Sequence, residues 1–106
     1  MYRVLIAVFF VLGALPASAA DPTVTLAIRD HQFVPAEVPV PAGVKVEVII
    51  RNEQAVPMEF ESTSLHREKV VAPGATVSVF VGPLRPGRYE FFDDFNPATR
   101  GSLVAQ

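Results

Sequence analysis

Oxygen donors for a metal ion are concentrated in two short stretches of this 106-residue chain. The stretch "MEFES" contains Glu59 and Glu61, and the stretch "FFDDFNPATRG" contains Asp93, Asp94 and Asn96. Carboxylate and amide oxygens are the ligands that hard cations such as Ca²⁺ and Fe³⁺ prefer. The two stretches therefore predict a metal site built from oxygen donors.

Nitrogen and sulfur donors are scarce by comparison. The sequence has no cysteine, which excludes blue copper, zinc-thiolate and iron–sulfur sites. It has two histidines, and His31 is the better candidate because His66 is followed by Arg67, whose charge repels a cation. Met58 offers a soft thioether, a donor that suits neither iron nor calcium. The candidate metal ligands are Glu59, Glu61, Asp93, Asp94, Asn96, Met58 and His31.

A structural explanation of the same acids stays open. Loop carboxylates are commonly solvated, and Asp93 or Asp94 is well placed to cap the loop by accepting backbone N–H groups. The two aspartates point to opposite faces if the strand continues through them, which is poor geometry for shared acid–base catalysis. No nucleophile and base accompany them, so we do not expect an enzyme.

The first twenty residues have the features of an export signal. Arg3 is the single charge ahead of an apolar run from Val4 to Leu15, Pro16 follows, and "ASA" at positions 17–19 is a small-x-small cleavage site. We expect residues 1–20 to be a cleaved signal peptide, residues 21–106 to be the mature domain, and the location to be the periplasm. An uncleaved membrane anchor is the alternative, although the apolar run is short for a bilayer span.

The expected mature chain has about 86 residues, enough for one small domain. It carries eight basic and eleven acidic residues, a charge of about −3. This balance argues against nucleic acid as a partner, since nucleic acid requires a clustered basic face. We expect a monomer or a weakly associating protein.

Alternating apolar residues predict short strands throughout the mature chain. In "VKVEVII", Val44, Val46, Val48 and Ile50 share one face. Proline and glycine turns separate this run from others of the same kind: "TVTLAI" (23–28), "TVSVFV" (76–81), "RYEFF" (88–92) and the closing "GSLVA" (101–105). The pattern predicts an all-β, two-sheet Greek-key β-sandwich of seven or eight strands.

Two long segments resemble a known family. "DHQFVPAEVPVPAGVKVEVIIRNEQAVPMEF" resembles the N-terminal half of bacterial cupredoxin-like domains, and "PGRYEFFDDFNPATRGSLV" resembles their C-terminal half. More narrowly, "EFES…LHREKVV…GPLRPGRYEFFDDFNPATRG" is similar to the thiol-free cupredoxin-like domain of EfeO-type bacterial iron-uptake proteins. The resemblance implies a cupredoxin-like sandwich over almost all of the mature chain.

The resemblance also implies where copper ligands have been replaced. Met58 stands at the position of the first copper-binding His, Asp93 at that of the Cys, and Asn96 at that of the second His, while Arg100 lies near the place of the axial Met. Type 1 copper is therefore excluded. The resemblance implies handling of iron, or of iron and copper, as an accessory to metal uptake beside a partner such as a membrane iron permease. The alternative is a metal-free β-sandwich that serves as an interaction module.

Overall fold

The computed structural model describes residues 6–7 and 20–106. Apart from positions 6, 7 and 20, the predicted signal peptide lies outside the described residues. In the described part of the chain, no helix is long and apolar enough to cross a membrane.

Two sheets form a β-sandwich, which confirms the predicted fold class. One sheet has four strands in the order β2-β1-β4-β7, and the other has five in the order β3-β9-β8-β5-β6. The strands are β1 Thr23–Arg29, β2 Gln32–Val34, β3 Glu37–Val40, β4 Val46–Asn52, β5 Met58–Ser62, β6 Arg67–Val71, β7 Thr76–Val81, β8 Gly87–Asp93 and β9 Asn96–Ala105.

The described residues thus form nine strands, slightly more than the predicted seven or eight. The short β2 and β3 have three and four residues, too few for a convincing alternating pattern. Strand β6 is hard to recognise because four of its five residues are exposed. It is an edge strand, so only one of its two sides pairs with another strand of that sheet.

The inward faces of the strands form one apolar core. Val46, Val48 and Ile50 of β4 are completely buried, as the alternation predicts, whereas Val44 precedes the strand and is 41% exposed. Phe91 of β8 packs at the centre, with its ring centroid 4.8 Å from that of Phe33 and 5.0 Å from that of Phe60. Because side chains alternate along a strand, burial of Phe91 directs Asp93 inward and Phe92 outward.

Gly101 allows β9 to lie close to β8 and so fixes the position of Phe91. A Cβ atom added at Gly101 would lie 2.5 Å from Cε2 of Phe91 and 2.9 Å from the carbonyl oxygen of Ala36. Any side chain here would push the last strand away from the core.

The five-stranded sheet positions the acidic residues of both stretches. Strand β5 lies between β6 and β8, with Phe60 opposite Asp93 and Glu61 opposite Phe92. The start of "MEFES" and the end of β8 are therefore neighbours, although more than 30 residues separate them in the chain.

Candidate metal centre

Three carboxylates meet on the outer side of the five-stranded sheet. Glu59 and Glu61 alternate along β5 with buried residues, so both side chains point away from the core. Asp94 is brought beside them by its backbone N–H, which donates to the carbonyl oxygen of Glu59 at 2.9 Å. One carboxylate oxygen from each of the three residues lies within 4.8 Å of the other two. We call Glu59, Glu61 and Asp94 the carboxylate cluster.

Partial burial and the repulsion of neighbouring charges disfavour the charged forms of Glu59 and Glu61. Burial raises the pKa of Glu59, and the charges of Asp94, Glu68 and Asp93 raise it further. The pKa of Glu61 is likewise raised by burial first, then by the charges of Asp94, Glu59 and Glu68. A bound cation would relieve this repulsion.

Glu68 is an acidic neighbour that the sequence analysis did not assign to the site. It stands directly opposite Glu61 in the β5–β6 pair. Like charges that face each other across two strands are destabilising. The signal that could have identified it is the hairpin register, since the short loop between "MEFES" and "REKVV" sets Ser62 opposite Arg67 and hence Glu61 opposite Glu68.

The raised pKa values predict that Glu59 and Glu61 destabilise the metal-free protein to an extent that depends on pH. Folding raises the pKa of Glu59 and Glu61 above the ordinary value of 4.5, so the folded chain binds these protons more readily than the unfolded chain. Their destabilising effect is absent below about pH 4.5 and grows as the pH rises through the raised values. We expect Glu59→Gln/Glu61→Gln to increase the free energy of unfolding more at pH 7 than at pH 4. Urea unfolding of both proteins at the two pH values measures this, and an equal difference at both would contradict it.

Asp93 points into the sandwich and has a structural role in the turn between β8 and β9. Its side chain is 1% exposed, and its Oδ1 accepts hydrogen bonds from the backbone N–H groups of Glu59 and Phe95, each at 3.0 Å. This is the capping arrangement that the sequence left open for Asp93 or Asp94. The cap ties the turn to β5 and thereby holds Asp94 beside Glu59.

The other predicted ligands lie in different surroundings. Met58 is completely buried in the core. Asn96 donates from Nδ2 to Thr99 Oγ1 at 2.8 Å, and that hydroxyl donates to the backbone oxygen of His31 at 2.6 Å. The His31 side chain is exposed, and its backbone N–H donates to Gln54 Oε1 at 2.9 Å.

The carboxylate cluster includes neither His31 nor Asp93. Metal ligation by Met58, His31, Asp93 and Asn96 stays a prediction.

Met58, Asp93 and Asn96, which stand at the copper-ligand positions of the family, do not fit type 1 copper. They carry a thioether in the core, a carboxylate capped by two backbone N–H groups, and an amide bonded to a threonine. A blue copper centre requires a thiolate and two imidazoles, and the sequence contains no cysteine.

Comparison with known proteins establishes the family. The model of the cupredoxin-like domain family matches residues 2–105. The chain belongs to the cupredoxin-like domain family. A curated relative of this cupredoxin-like protein, the uncharacterized protein RP394 of Rickettsia prowazekii (strain Madrid E), is 46% identical over 81 residues. The match covers 76% of this chain and 65% of the relative, so the chain spans less than two thirds of the relative's length.

Solved structures share the fold at low sequence identity. The metal-binding domain of the Cu(I)-exporting P-type ATPase CopA of Streptococcus pneumoniae D39, solved with Cu(I), has a TM-score of 0.71 and 14% identity, with 79% of this chain and 84% of that chain covered. Amicyanin from Paracoccus versutus has a TM-score of 0.64 and 19% identity, with 88% and 86% covered. These similarities show the cupredoxin-like fold. Neither the family nor the relative indicates an enzymatic activity.

Proposed function

We propose that this cupredoxin-like protein binds a metal ion, iron in the first place and copper in the second, through Glu59, Glu61 and Asp94. We further propose that it does so in the periplasm, as a monomer and as an accessory to a metal-uptake system. The observation that carries the proposal is the approach of three carboxylate oxygens to within 4.8 Å on the outer side of one sheet.

The chemistry of the donors favours iron over copper. Carboxylates are hard, anionic ligands, and their affinity for a cation grows with the number of charges brought together. Cu²⁺ binds better where nitrogen donors are present, and the cluster has none. The cluster thus suits Fe³⁺ better than copper, although the CopA domain that shares the fold was solved with Cu(I).

The role in uptake rests on the resemblance to EfeO-type proteins. That resemblance covers the segment from Glu59 to Gly101 and therefore includes both acidic stretches. A membrane iron permease is the partner it implies. The partner would take the ion from a site that is open to solvent, and Asp94 is exposed.

A calorimetric titration of the mature domain, residues 21–106, tests the function. Fe³⁺ supplied as its nitrilotriacetate chelate is expected to bind saturably with a dissociation constant on the order of micromolar, in the range of flexible carboxylate sites. Cu²⁺ should bind more weakly. Absence of saturable heat with both ions would refute the proposal and favour the metal-free interaction module.

A further inference from the structure

An open groove lies beside the carboxylate cluster on the same sheet face. Its volume is about 540 Å³. Phe92 forms part of its lining and stands directly opposite Glu61, so the groove begins one strand away from the cluster. The groove is lined by Thr63, Ser64, Arg88, Glu90, Phe92 and Arg100.

Two guanidinium groups face this groove from neighbouring strands. Arg100 lies over the ring of Phe92, 5.2 Å from its centroid, and is opposite Phe92 in the β8–β9 pair. Arg88, four residues before Phe92, lies on the same outward face of β8. Each arginine carries five N–H donors in a planar fork, a shape that matches a carboxylate.

The acidic neighbours engage Arg100 weakly and Arg88 directly. The distance from Arg100 Nη1 to Glu90 Oε2 is 3.8 Å, too long for a hydrogen bond, and the two side chains are 57% and 68% exposed. Such a solvated pair is weak. Arg88 contacts Glu37 through Nη1, one of its three nitrogens, so a ligand would bind through the remaining N–H donors of this exposed guanidinium or displace Glu37.

We propose that the groove binds a small anion bearing several carboxylate groups. Arg88 and Arg100 would hold two of its carboxylates through bidentate, charge-assisted hydrogen bonds. The hydroxyl groups of Thr63 and Ser64 provide further donors, and the ring of Phe92 packs against the hydrocarbon part. Glu90 also lines the groove, and the ligand must displace it from Arg100, with which it forms only a long, solvated pair.

This binding site goes beyond the proposed function and does not depend on it. The same carboxylate chemistry has two sources: a free polycarboxylate, or a polycarboxylate that already carries a metal ion. In the second case the neighbouring cluster would lie beside the bound metal. The arms of the experiment separate the two sources.

The test is a titration of ¹⁵N-labelled residues 21–106 with citrate, and separately with Ga³⁺–citrate, followed by NMR. We expect saturable shifts of the backbone amides of Thr63, Ser64, Phe92 and Arg100, with a dissociation constant on the order of 1 mM, as expected for a ligand of this size. Arg88→Gln/Arg100→Gln is expected to weaken binding at least about tenfold, the effect of removing charged hydrogen-bond donors. The control is Arg51→Gln/Arg85→Gln, which removes the same charge outside the groove and should leave binding unchanged.

Each outcome decides the proposal. Stronger binding of citrate supports the free acid as the ligand, and stronger binding of Ga³⁺–citrate supports the metal-bearing form. The proposal is overturned if neither compound shifts the groove amides, or if both arginine pairs weaken binding equally. It is also overturned if inorganic phosphate binds as tightly as citrate, because the site would then recognise anions in general. If citrate does not bind in the groove but Fe³⁺ binds at the carboxylate cluster, this proposal fails and the proposed function still stands.

Discussion

A variant carrying Glu59→Gln, Glu61→Gln and Asp94→Asn is expected to lose Fe³⁺ affinity by roughly 100-fold or more, because affinity in carboxylate sites is tuned by the number of charged ligands. The amides keep the size and hydrogen-bonding shape of the acids but remove three negative charges. Isothermal titration with the nitrilotriacetate chelate measures the loss. Glu59 and Glu61 are half-buried and Asp94 is exposed, so the changes disturb no core contact.

A matched control separates site chemistry from net charge. Asp21→Asn, Asp30→Asn and Glu47→Gln remove the same number of charges from positions outside the cluster. This control variant should bind Fe³⁺ as the wild type does, apart from a small long-range effect that salt suppresses. Equal losses in both variants would mean that the ion is attracted by overall charge and that the cluster is not its site.

The cluster variant should bind Fe³⁺ less tightly than the wild type, yet it should be more stable than the wild type without metal. Without metal, removing three repelling charges should raise its melting temperature above that of the wild type at pH 7. With saturating Fe³⁺ the order should reverse, because the ion binds and stabilises the folded wild type alone. A variant that is less stable than the wild type without metal would contradict the description of the cluster as self-repelling.

Asp93→Ala is expected to be the most destabilising single change among the acids. It removes the acceptor for the N–H groups of Glu59 and Phe95 and leaves a small void at a side chain that is 1% exposed. Two partly buried N–H donors left without partners, together with the void, cost about 3 kcal/mol, which in a domain of this size lowers the melting temperature by roughly 15 °C. Thermal unfolding followed by circular dichroism measures it.

Asp94→Ala is the natural control for Asp93→Ala. The adjacent side chain is exposed and belongs to the cluster, so its loss should leave stability unchanged or slightly higher. Asp93→Asn keeps one acceptor oxygen and should lie between the wild type and Asp93→Ala. If both alanine variants unfold at the same temperature, the cap at Asp93 contributes nothing and its burial needs another explanation.

Local alternation was sufficient to predict most of the fold. The predicted inward face of "VKVEVII" is buried from Val46 to Ile50, and strand β7 coincides with the predicted segment 76–81. The same alternation accounts for the inward direction of Asp93 and the outward direction of Glu59 and Glu61, because side-chain direction along a strand follows from the sequence itself.

The grouping of the acids depended on contacts that local patterns do not contain. Asp94 reaches Glu59 only because β8 pairs with β5, and this pairing joins residues more than 30 positions apart. Asp93 and Asp94 have the same chemistry in the sequence, yet one caps a turn inside the sandwich and the other faces solvent beside two glutamates. Alternation separates their directions, but the groups that each one meets depend on strand order and register, which are set by the packing of the whole domain.

Paramagnetic broadening of the ¹⁵N-labelled domain by Mn²⁺, an ion that prefers carboxylate ligands, tests the central claim most directly. We expect the backbone amides of Glu59, Phe60, Glu61 and Asp94 to broaden first, at substoichiometric Mn²⁺, while those of Val46 and Val48 stay sharp. Broadening that spreads evenly over all exposed carboxylates, or that begins at His31 or His66, would contradict a metal site formed by Glu59, Glu61 and Asp94.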